Sequence, residues 1–222
     1  MYMTNFPGTN QRVSLPQDLH RFCSPIMGED RLNQMFEQFS STRLLNGAVV
    51  EIGTDLGRTG AFLSACCEHF QIQREIHLFD CFFSGAKLYN TDIMQISDDG
   101  TRILNQDVIT CDHAAGISAC NATFEEFSLS CPHIHAGWLS ETLERDLPEI
   151  LSFVHIDVNF EPCTRQALLG VYPRLCHGAV CFVDDYKLHL FPGVAKAVDS
   201  FLADKPETMV QSTKIQGYFV KQ

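Results

Sequence analysis

The chain has 222 residues, of which 45% are hydrophobic and 10% aromatic, which is enough apolar material for one substantial core. Its formal net charge of −11 and its pI near 5.1 argue against a surface for nucleic acid or anionic membrane, because such surfaces depend on clustered Lys and Arg. No apolar run approaches the roughly 18 residues that cross a bilayer. We therefore expect one soluble domain over residues 1–222 with neither nucleic acid nor membrane as a partner.

Ten cysteines are scattered along the chain, and several lie inside apolar runs. There is no CxxC pair, and the first residues do not form a signal peptide. This pattern predicts reduced, buried thiols in a cytoplasmic protein, and it argues against a disulfide framework or a zinc ribbon.

The first half of the chain alternates between helix-like and strand-like patterns. Residues 16–45 have helical spacing, so we expect a helical cap over about 14–46. GAVVEIG is a continuous apolar run typical of a buried parallel strand, RTGAFLSACCEHF returns to helical spacing, and EIHLFD is a second strand. The polar span over about 84–112 is expected to be an insertion or lid.

The second half repeats the alternation. The expected elements are the strand HIHAG, a helix in SETLERDLPEI with Ser140 as N-cap, the strand LSFVHID, the helix TRQALLGVYPRL, the strand GAVCFVDD, the helix GVAKAVDSFLAD and two short strands, TMVQSTK and GYFVKQ. This order predicts an α/β fold with a doubly wound, mostly parallel sheet of seven strands and helices on both faces. The last pair of strands is expected to be antiparallel.

Ligands of such sheets bind beyond the carboxyl ends of the strands. The end of the first strand and the turn that follows it, VVEIGTDLGRTG, have the pattern E-x-G-x-x-x-G instead of the dinucleotide pattern G-x-G-x-x-G. The wider glycine spacing suits a ligand that carries an amino acid and a nucleoside better than a diphosphate. The alternative is that these glycines only allow a tight turn between strand and helix.

An acidic residue ends the second strand. Asp80 lies 27 positions after Gly53, where a carboxylate can accept hydrogen bonds from both hydroxyls of a ribose. The alternative is a solvated acid at the end of a strand.

Three further acids end the fourth and fifth strands. Asp157 follows one, and Asp184 and Asp185 follow the other. If these strands are neighbours about 4.8 Å apart, the like charges repel unless a cation lies between them. Oxygen ligands suit Mg²⁺ or Mn²⁺, and we expect no Cys or His ligand at this edge. The alternative is an acidic cap solvated by water.

Five segments together carry a family resemblance. From about Met27 to Phe201, in order, the chain resembles the macrocin O-methyltransferase (TylF-type) family, whose members methylate hydroxyls on antibiotic sugars. The segments are VVEIGTDLGRTGAFL, LFDCFFSG, HAGWLSETL, VHIDVNFEPCTRQALLGVYPRL and GAVCFVDDY…GVAKAVDSF. The spacing of the acids is also similar, more distantly, to catechol O-methyltransferases.

The resemblance implies a Rossmann-like class I methyltransferase fold and an O-methyltransferase that depends on S-adenosylmethionine (SAM) and a divalent metal. In that family pattern, Asp80 matches the ribose-binding acid, and Asp157, Asp184 and Asp185 match the metal ligands. We expect the residues in contact with SAM to be Glu51, Gly53, Thr54, Gly57, Thr59, Asp80, Gly137, Trp138 and Asp157. For Trp138 and Thr59, packing and helix initiation are alternative roles.

The general base is less defined. Catechol-type enzymes have a lysine shortly after the fourth-strand acid, whereas DVNFE has Phe160 and no lysine, so base work falls to Asp157 itself. His189, in the loop after the Asp pair, is a second candidate whose alternative is a solvated loop histidine. The family also has an acid two residues after Asp157, where this chain has Asn159.

Two other functions stay open at this point. One is metal-assisted phosphoryl transfer or hydrolysis, although the sequence has neither a P-loop nor a nucleophile elbow. The other is a nucleoside-binding module without activity. The small-molecule acceptor is a sugar hydroxyl only by resemblance, and a phenol, another alcohol and a homo-oligomeric state are also open.

Overall fold

The protein is described from a computed structural model, which covers residues 14–24, 27–82, 94–96, 102–104 and 116–222. Its strands in chain order are β1 (Ala48–Ile52), β2 (Ile76–Asp80), β3 (Met94–Ile96), β4 (Arg102–Leu104), β5 (His133–Ala136), β6 (Leu151–Ile156), β7 (Leu175–Val183), β8 (Val210–Gln211) and β9 (Gly217–Val220). Its helices are α1 (Glu29–Ser41), α2 (Arg58–Phe70), α3 (Ile117–Glu126), α4 (Leu139–Asp146), α5 (Glu161–Val171) and α6 (Pro192–Leu202), with 3-10 turns at Leu19–Phe22 and Tyr172–Arg174.

Seven strands form one sheet in the order β5-β2-β1-β6-β7-β9-β8. The first five are parallel to one another, whereas β9 runs antiparallel to both β7 and β8. The strands β3 and β4 pair separately with each other. The predicted doubly wound sheet of seven strands is therefore confirmed, including the antiparallel closing pair.

Helices cover both faces of the sheet, because successive side chains of a strand point to opposite faces. On β1, Val49 packs in a core with α1, α2 and α3, and Val50 packs in a second core with α4, α5 and α6. Every residue of β1 and of β6 is buried, as expected for central strands covered on both faces.

The order of the strands reverses at β1. The chain passes from β1 to β2 and β5 on one side and then returns to the other side to form β6 and β7. Ligands of doubly wound sheets bind in the crevice at this switch point. The crevice is framed by the residues that follow β1 and β6, which include Gly53 and Asp157.

Several local predictions need correction. The expected helical cap consists of a short 3-10 turn followed by α1, whereas the segment that forms α3 was not predicted as a helix. Ser140 is not an N-cap, because α4 begins one residue earlier, with Trp138 at the N-cap and no capping side chain. The strand expected in TMVQSTK is limited to the two residues of β8.

Most of the expected lid at 84–112 lies outside the described residues, as does the N-terminal segment 1–13. Within the described parts of the chain, no helix combines the length and the apolar character that a membrane crossing requires. Among the cysteines in these parts, Cys23, Cys66, Cys67, Cys120, Cys131, Cys176 and Cys181 are free thiols, as the cysteine pattern predicts.

Candidate active site

The turn from β1 into α2 requires its glycines. Gly53 has a φ of +85°, and a Cβ built on it would lie 2.1 Å from the carbonyl oxygen of Asp157. Gly57, at the N-cap of α2, has a φ of +75°, and its Cβ would lie 2.5 Å from the Cys120 sulfur. Only glycine fits both the left-handed conformation and the close approach. The result is a narrow backbone cradle that opens on the N-terminus of α2.

Asp80 lies beside this cradle at the end of β2. Its Oδ2 accepts backbone hydrogen bonds from Thr54 at 2.8 Å and from Asp55 at 3.0 Å, and its Oδ1 accepts one from Phe82 at 3.1 Å. The carboxylate is partly exposed, so it borders the crevice while it fixes the glycine turn.

Glu51 lies beneath the turn rather than in the open crevice. It is almost completely buried, and its Oε2 accepts a hydrogen bond from Thr54 Oγ1 at 2.5 Å. Its Oε1 lies 3.1 Å from Nδ1 of His155, the residue paired with it on β6. Thr54 is buried as well, and so is Thr59 in the first turn of α2.

The exit of β5 lies next to that of β2. Gly137 has a φ of +143° and donates its backbone N–H to the carbonyl oxygen of Asp80 at 3.0 Å. Trp138 follows it and is 46% exposed, while its carbonyl oxygen accepts a hydrogen bond from Thr142 Oγ1. The Trp138 side chain is therefore available to a ligand at this edge.

An acid cluster lies on the other side of the switch point. Because β6 and β7 are paired neighbours, Asp157 and Asp184 follow paired residues, and the backbone N–H of Asp184 donates to the carbonyl oxygen of Ile156 at 2.9 Å. One ligand atom from each of Asp157, Asp184 and His155 lies within 4.8 Å of the others. The prediction that this edge has no histidine in ligand position was therefore wrong.

Arg31 pairs with this cluster, although no sequence pattern predicted the contact. Its Nη1 donates to Asp184 Oδ2 at 2.5 Å, in a contact buried between α1 and β7. Burial alone lowers the pKa of Arg31, but the charge and hydrogen bond of Asp184 outweigh it and raise the pKa overall. The guanidinium is thus a fixed cation at this site.

Asp185 adjoins the cluster in a different way. Its backbone is left-handed, with a φ of +57°, and its Oδ2 accepts a hydrogen bond from Asn159 Nδ2 at 2.7 Å. Burial, and next the charge of Asp184, raise the pKa of Asp185 to about 6. Asn159, which replaces an acid of the family pattern, thus becomes a donor to the third predicted metal ligand.

Several groups of the cluster are anionic or lack a hydrogen-bond partner among the described residues. Asp184 Oδ1 and His155 Nε2 are buried and have no hydrogen-bond partner among the described residues. Burial, followed by the charge of Asp184, raises the pKa of Asp157 well above its usual value. Burial lowers the pKa of His155, but the hydrogen bond to Glu51 and the charge of Asp157 raise it overall. Such a group can hold a cation, because a cation would satisfy these unpaired atoms and offset the repulsion.

A cleft of about 740 Å³ adjoins the cluster on the α1 side. It lies between α1 and the turn after β8, and its lining includes Asp30, Arg31, Ser212 and Lys214. Arg31 therefore connects the cleft with the acid cluster. His189, in contrast, is exposed in the turn before α6 and is not part of the cluster.

Comparisons with known proteins identify the family and agree with the fold. The profile of the family described as Macrocin-O-methyltransferase (TylF) matches residues 3–218. Among solved structures, the O-methyltransferase NovP is 19% identical with a TM-score of 0.75, covering 88% of this chain and 81% of its own. The calicheamicin methyltransferase CalS11 is 16% identical with a TM-score of 0.63, covering 97% and 99%.

A third structure is that of the O-methyltransferase from Bacillus cereus in complex with SAH, with 13% identity, a TM-score of 0.56 and coverage of 94% and 93%. At these identities the solved structures establish the fold alone. Among curated protein sequences, none matches this chain at a significant level.

Proposed function

Because this chain belongs to the macrocin O-methyltransferase (TylF) family, it is a SAM-dependent O-methyltransferase, and we propose that it methylates a hydroxyl of a sugar or other natural-product intermediate with the help of a divalent cation. The acceptor class and the cation, which the family resemblance implies, are the proposed parts of this statement.

The observation that carries the proposal is the contact between the two halves of the site. Gly53, in the cradle, and Asp157, in the acid cluster, touch through their backbones: a Cβ on Gly53 would lie 2.1 Å from the Asp157 carbonyl oxygen. A methyl donor in the cradle and a hydroxyl at the cluster would therefore be immediate neighbours. Methyl transfer needs this proximity, since alignment of the reactants alone contributes roughly 7–11 kcal/mol.

The cradle is the proposed donor site. We propose that Gly53 and Gly57 allow the amino-acid end of SAM to approach the N-terminus of α2, close to Thr59. Asp80 would accept hydrogen bonds from the ribose, and Gly137 and Trp138 would border the adenine. When bound, SAM supplies an activated methyl group on a sulfonium. Glu51 and Thr54 support the cradle from below through their mutual hydrogen bond.

The acid cluster is the proposed cation site, and the residues fit such an ion. Asp157, Asp184 and Asp185 offer oxygen ligands, and the unpaired Oδ1 of Asp184 is the best-defined position for one. Carboxylates suit Mg²⁺ or Mn²⁺. When bound, the cation would supply the Lewis acidity that lowers the pKa of the acceptor hydroxyl. His155, whose ligand atom lies within 4.8 Å of those of Asp157 and Asp184, is itself fixed by Glu51.

The remaining chemistry is the removal of the acceptor proton. Asp157 is the proposed base, because DVNFE has no lysine after it and its backbone touches the cradle in which the donor would bind. His189 is retained as a second candidate base, since it lies in the exposed turn that follows the Asp pair. A His189→Ala variant with unchanged pH dependence of kcat would remove it from this role.

The cleft beside Arg31 is the proposed acceptor site. A related structure is described as TDP-rhamnose 3′-O-methyltransferase of calicheamicin biosynthesis, and a sugar hydroxyl is therefore the first acceptor to test. The side chains of Arg31, Ser212 and Lys214 line this cleft with polar and cationic groups. We propose a cytoplasmic enzyme, in keeping with its buried cysteines, and leave its oligomeric state to measurement.

The decisive experiment is a calorimetric titration with SAM and with its demethylated product, with and without Mg²⁺. A ligand at 100 times its Kd stabilises the fold by about 2.7 kcal/mol, which a thermal-shift assay also detects. We expect the nucleoside to bind in both conditions and methyl transfer to a sugar acceptor to require the cation. Full turnover in a chelated sample shown to be metal-free would contradict the metal role, and absence of nucleoside binding would contradict the donor site.

A further inference from the structure

A second cluster of ligand-type side chains lies at the opposite edge of the sheet. One ligand atom from each of Glu75, His77 and His133 lies within 4.8 Å of the others. These residues are at the amino-terminal ends of β2 and β5, whereas Asp80 is at the carboxyl end of β2. At the rise of a parallel strand, the five steps from Glu75 to Asp80 span about 16 Å. The cluster is therefore separate from the proposed active site.

The rings of this cluster are stacked in register across the two strands. His77 pairs with His133 in the sheet, and their ring centroids are 4.6 Å apart. His135, two residues further on β5, stacks on His77 at 5.2 Å with an interplanar angle of 2°. His77 is buried, while Glu75 and His133 are exposed. The arrangement thus fixes one buried imidazole between two accessible ligand groups.

A chain of polar contacts runs through these rings. Asp146 Oδ2 lies 3.3 Å from His135 Nδ1, His135 Nε2 lies 2.9 Å from His77 Nδ1, and His77 Nε2 lies 3.4 Å from Glu75 Oε2. The chain therefore begins and ends at a carboxylate, which only accepts hydrogen bonds when ionised. Burial is the main cause that lowers the pKa of His77 and of His135.

The number of protons is too small for these contacts. In the neutral form, which is the form that binds a metal, two imidazoles have only one N–H each, whereas the three contacts would each require one donor. The hydrogen bond from Arg145 is the main cause that keeps the pKa of Asp146 low, so Asp146 is ionised and accepts from His135 Nδ1. His135 Nε2 then accepts from His77 Nδ1. The contact that lacks a proton is therefore the outer one, where the lone pair of His77 Nε2 faces the Glu75 carboxylate.

We propose that Glu75, His77 and His133 bind a divalent transition metal of the zinc type at this edge. Two imidazoles and one carboxylate with an open fourth position form a ligand set that Zn²⁺ accepts. The His77–His135–Asp146 series fixes the tautomer of the central ligand, as outer partners of metal-bound histidines do. A cavity of about 480 Å³ lined by Glu75 and His133 gives the ion access from solvent.

The test measures metal binding directly. The chelated protein is kept in excess Mg²⁺, so that the acid cluster at the other edge is occupied, and is titrated with Zn²⁺ by calorimetry and with Co²⁺ by visible absorption. We expect His133→Ala and Glu75→Gln each to lose one equivalent of metal, or to bind it at least roughly tenfold more weakly. His177→Ala replaces an exposed strand histidine elsewhere and should bind as the wild type does.

Two further measurements distinguish this site from a thiolate site and from a doubly protonated His77 ring. Cys131 lines the same cavity, so Cys131→Ser should keep the metal and the Co²⁺ spectrum should lack a thiolate charge-transfer band. Long-range ¹H–¹⁵N NMR of the metal-free protein should show His77 protonated on Nδ1 alone. Unchanged binding in His133→Ala and Glu75→Gln, a thiolate band, or a His77 ring protonated on both nitrogens without metal binding would each overturn the proposal.

Discussion

Glu207 and Asp184 are both 2% exposed, yet their surroundings differ in one respect. Glu207 accepts hydrogen bonds from the Tyr172 hydroxyl at 2.7 Å, from Lys221 Nζ at 2.9 Å and from the Gln222 backbone at 3.0 Å. We call these four residues the C-terminal clasp. Asp184 has Arg31 on one oxygen, whereas its other oxygen has no partner among the described residues.

The pKa of Glu207 and that of Asp157, which adjoins Asp184 in the acid cluster, are shifted in opposite directions. Burial alone would raise the pKa of Glu207, but its hydrogen bonds from Tyr172, Gln222 and Lys221 outweigh burial and lower it to about 2. Burial and Asp184 instead raise the pKa of Asp157 well above its usual value. A carboxylate with all its partners stabilises the fold, and one without them indicates a place prepared for a ligand. The following predictions test this contrast.

The largest effect is expected for Asp157→Asn. Loss of a cation ligand and base should lower kcat by roughly a thousandfold, since Lewis-acid stabilisation contributes several kcal/mol. Because the pKa of Asp157 is raised in the fold, ionisation of this group destabilises the metal-free protein as the pH rises above about 3.8. The variant should therefore be at least as stable as the wild type at neutral pH. Asp204→Asn is the surface control, and wild-type turnover in Asp157→Asn would contradict the prediction.

Glu207→Gln should have the opposite effect, a loss of stability without a loss of turnover. Loss of the buried charge from the clasp is expected to lower the free energy of unfolding by on the order of 3 kcal/mol, with turnover unchanged. Denaturant titration measures the first quantity and a methyl-transfer assay the second. The control is Glu161→Gln, which breaks an exposed ion pair with Lys196 and should cost about 0.5 kcal/mol or less.

The clasp also predicts an acid dependence. The pKa of Glu207 is lowered from 4.5 to about 2, so its contribution to stability is complete above about pH 4.5 and is lost as the pH falls toward 2. The difference in unfolding free energy between the wild type and Glu207→Gln should therefore shrink over this interval. A difference that stays constant from pH 5 to pH 2.5 would contradict the lowered pKa.

Asp80 is intermediate between Glu207 and Asp184, because it has three backbone donors and yet remains partly exposed. Asp80→Ala should weaken SAM binding by about 2 kcal/mol, or roughly thirtyfold in Kd, through lost hydrogen bonds to a charged acceptor. Calorimetry at fixed pH measures the change. Unchanged affinity in a variant with native circular dichroism would move the ribose site elsewhere.

The smallest effect is expected for Arg31→Gln. The guanidinium neutralises Asp184 and repels a second cation, so its removal should lower the Mg²⁺ concentration for half-maximal activity by roughly fivefold. Arg43→Gln, which alters an exposed arginine, should leave it unchanged. A higher Mg²⁺ requirement would instead show that Arg31 holds Asp184 in position.

The sheet was predictable from the sequence because its strands are the apolar runs of the chain. GAVVEIG, LSFVHID and GAVCFVDD are buried on both faces, and in this topology neighbouring strands bring Asp157 and Asp184 to one edge. The helix α3 was missed because only Cys120, Thr123 and Phe124 of its ten residues are buried, which leaves a weak periodic pattern.

Two residues that determine the electrostatics of the acid cluster were not predictable in the same way. His155 lies inside a strand, and the sequence pattern indicates only that it is buried. Its role depends on the register that pairs it with Glu51 of β1. Arg31 contacts Asp184 across 153 positions, and no local pattern predicts such a contact. Register and long-range packing therefore decide the electrostatics of this site.

The Arg31–Asp184 contact also has a consequence for biosynthesis. At elongation rates of about 5–20 residues per second, the 153 positions between the two residues correspond to roughly 8–30 s of translation. Until β7 and Asp184 have been made, Arg31 cannot form this contact. The acid cluster therefore assembles late, and a nascent chain released before residue 184 contains the glycine cradle without a complete site for the second substrate.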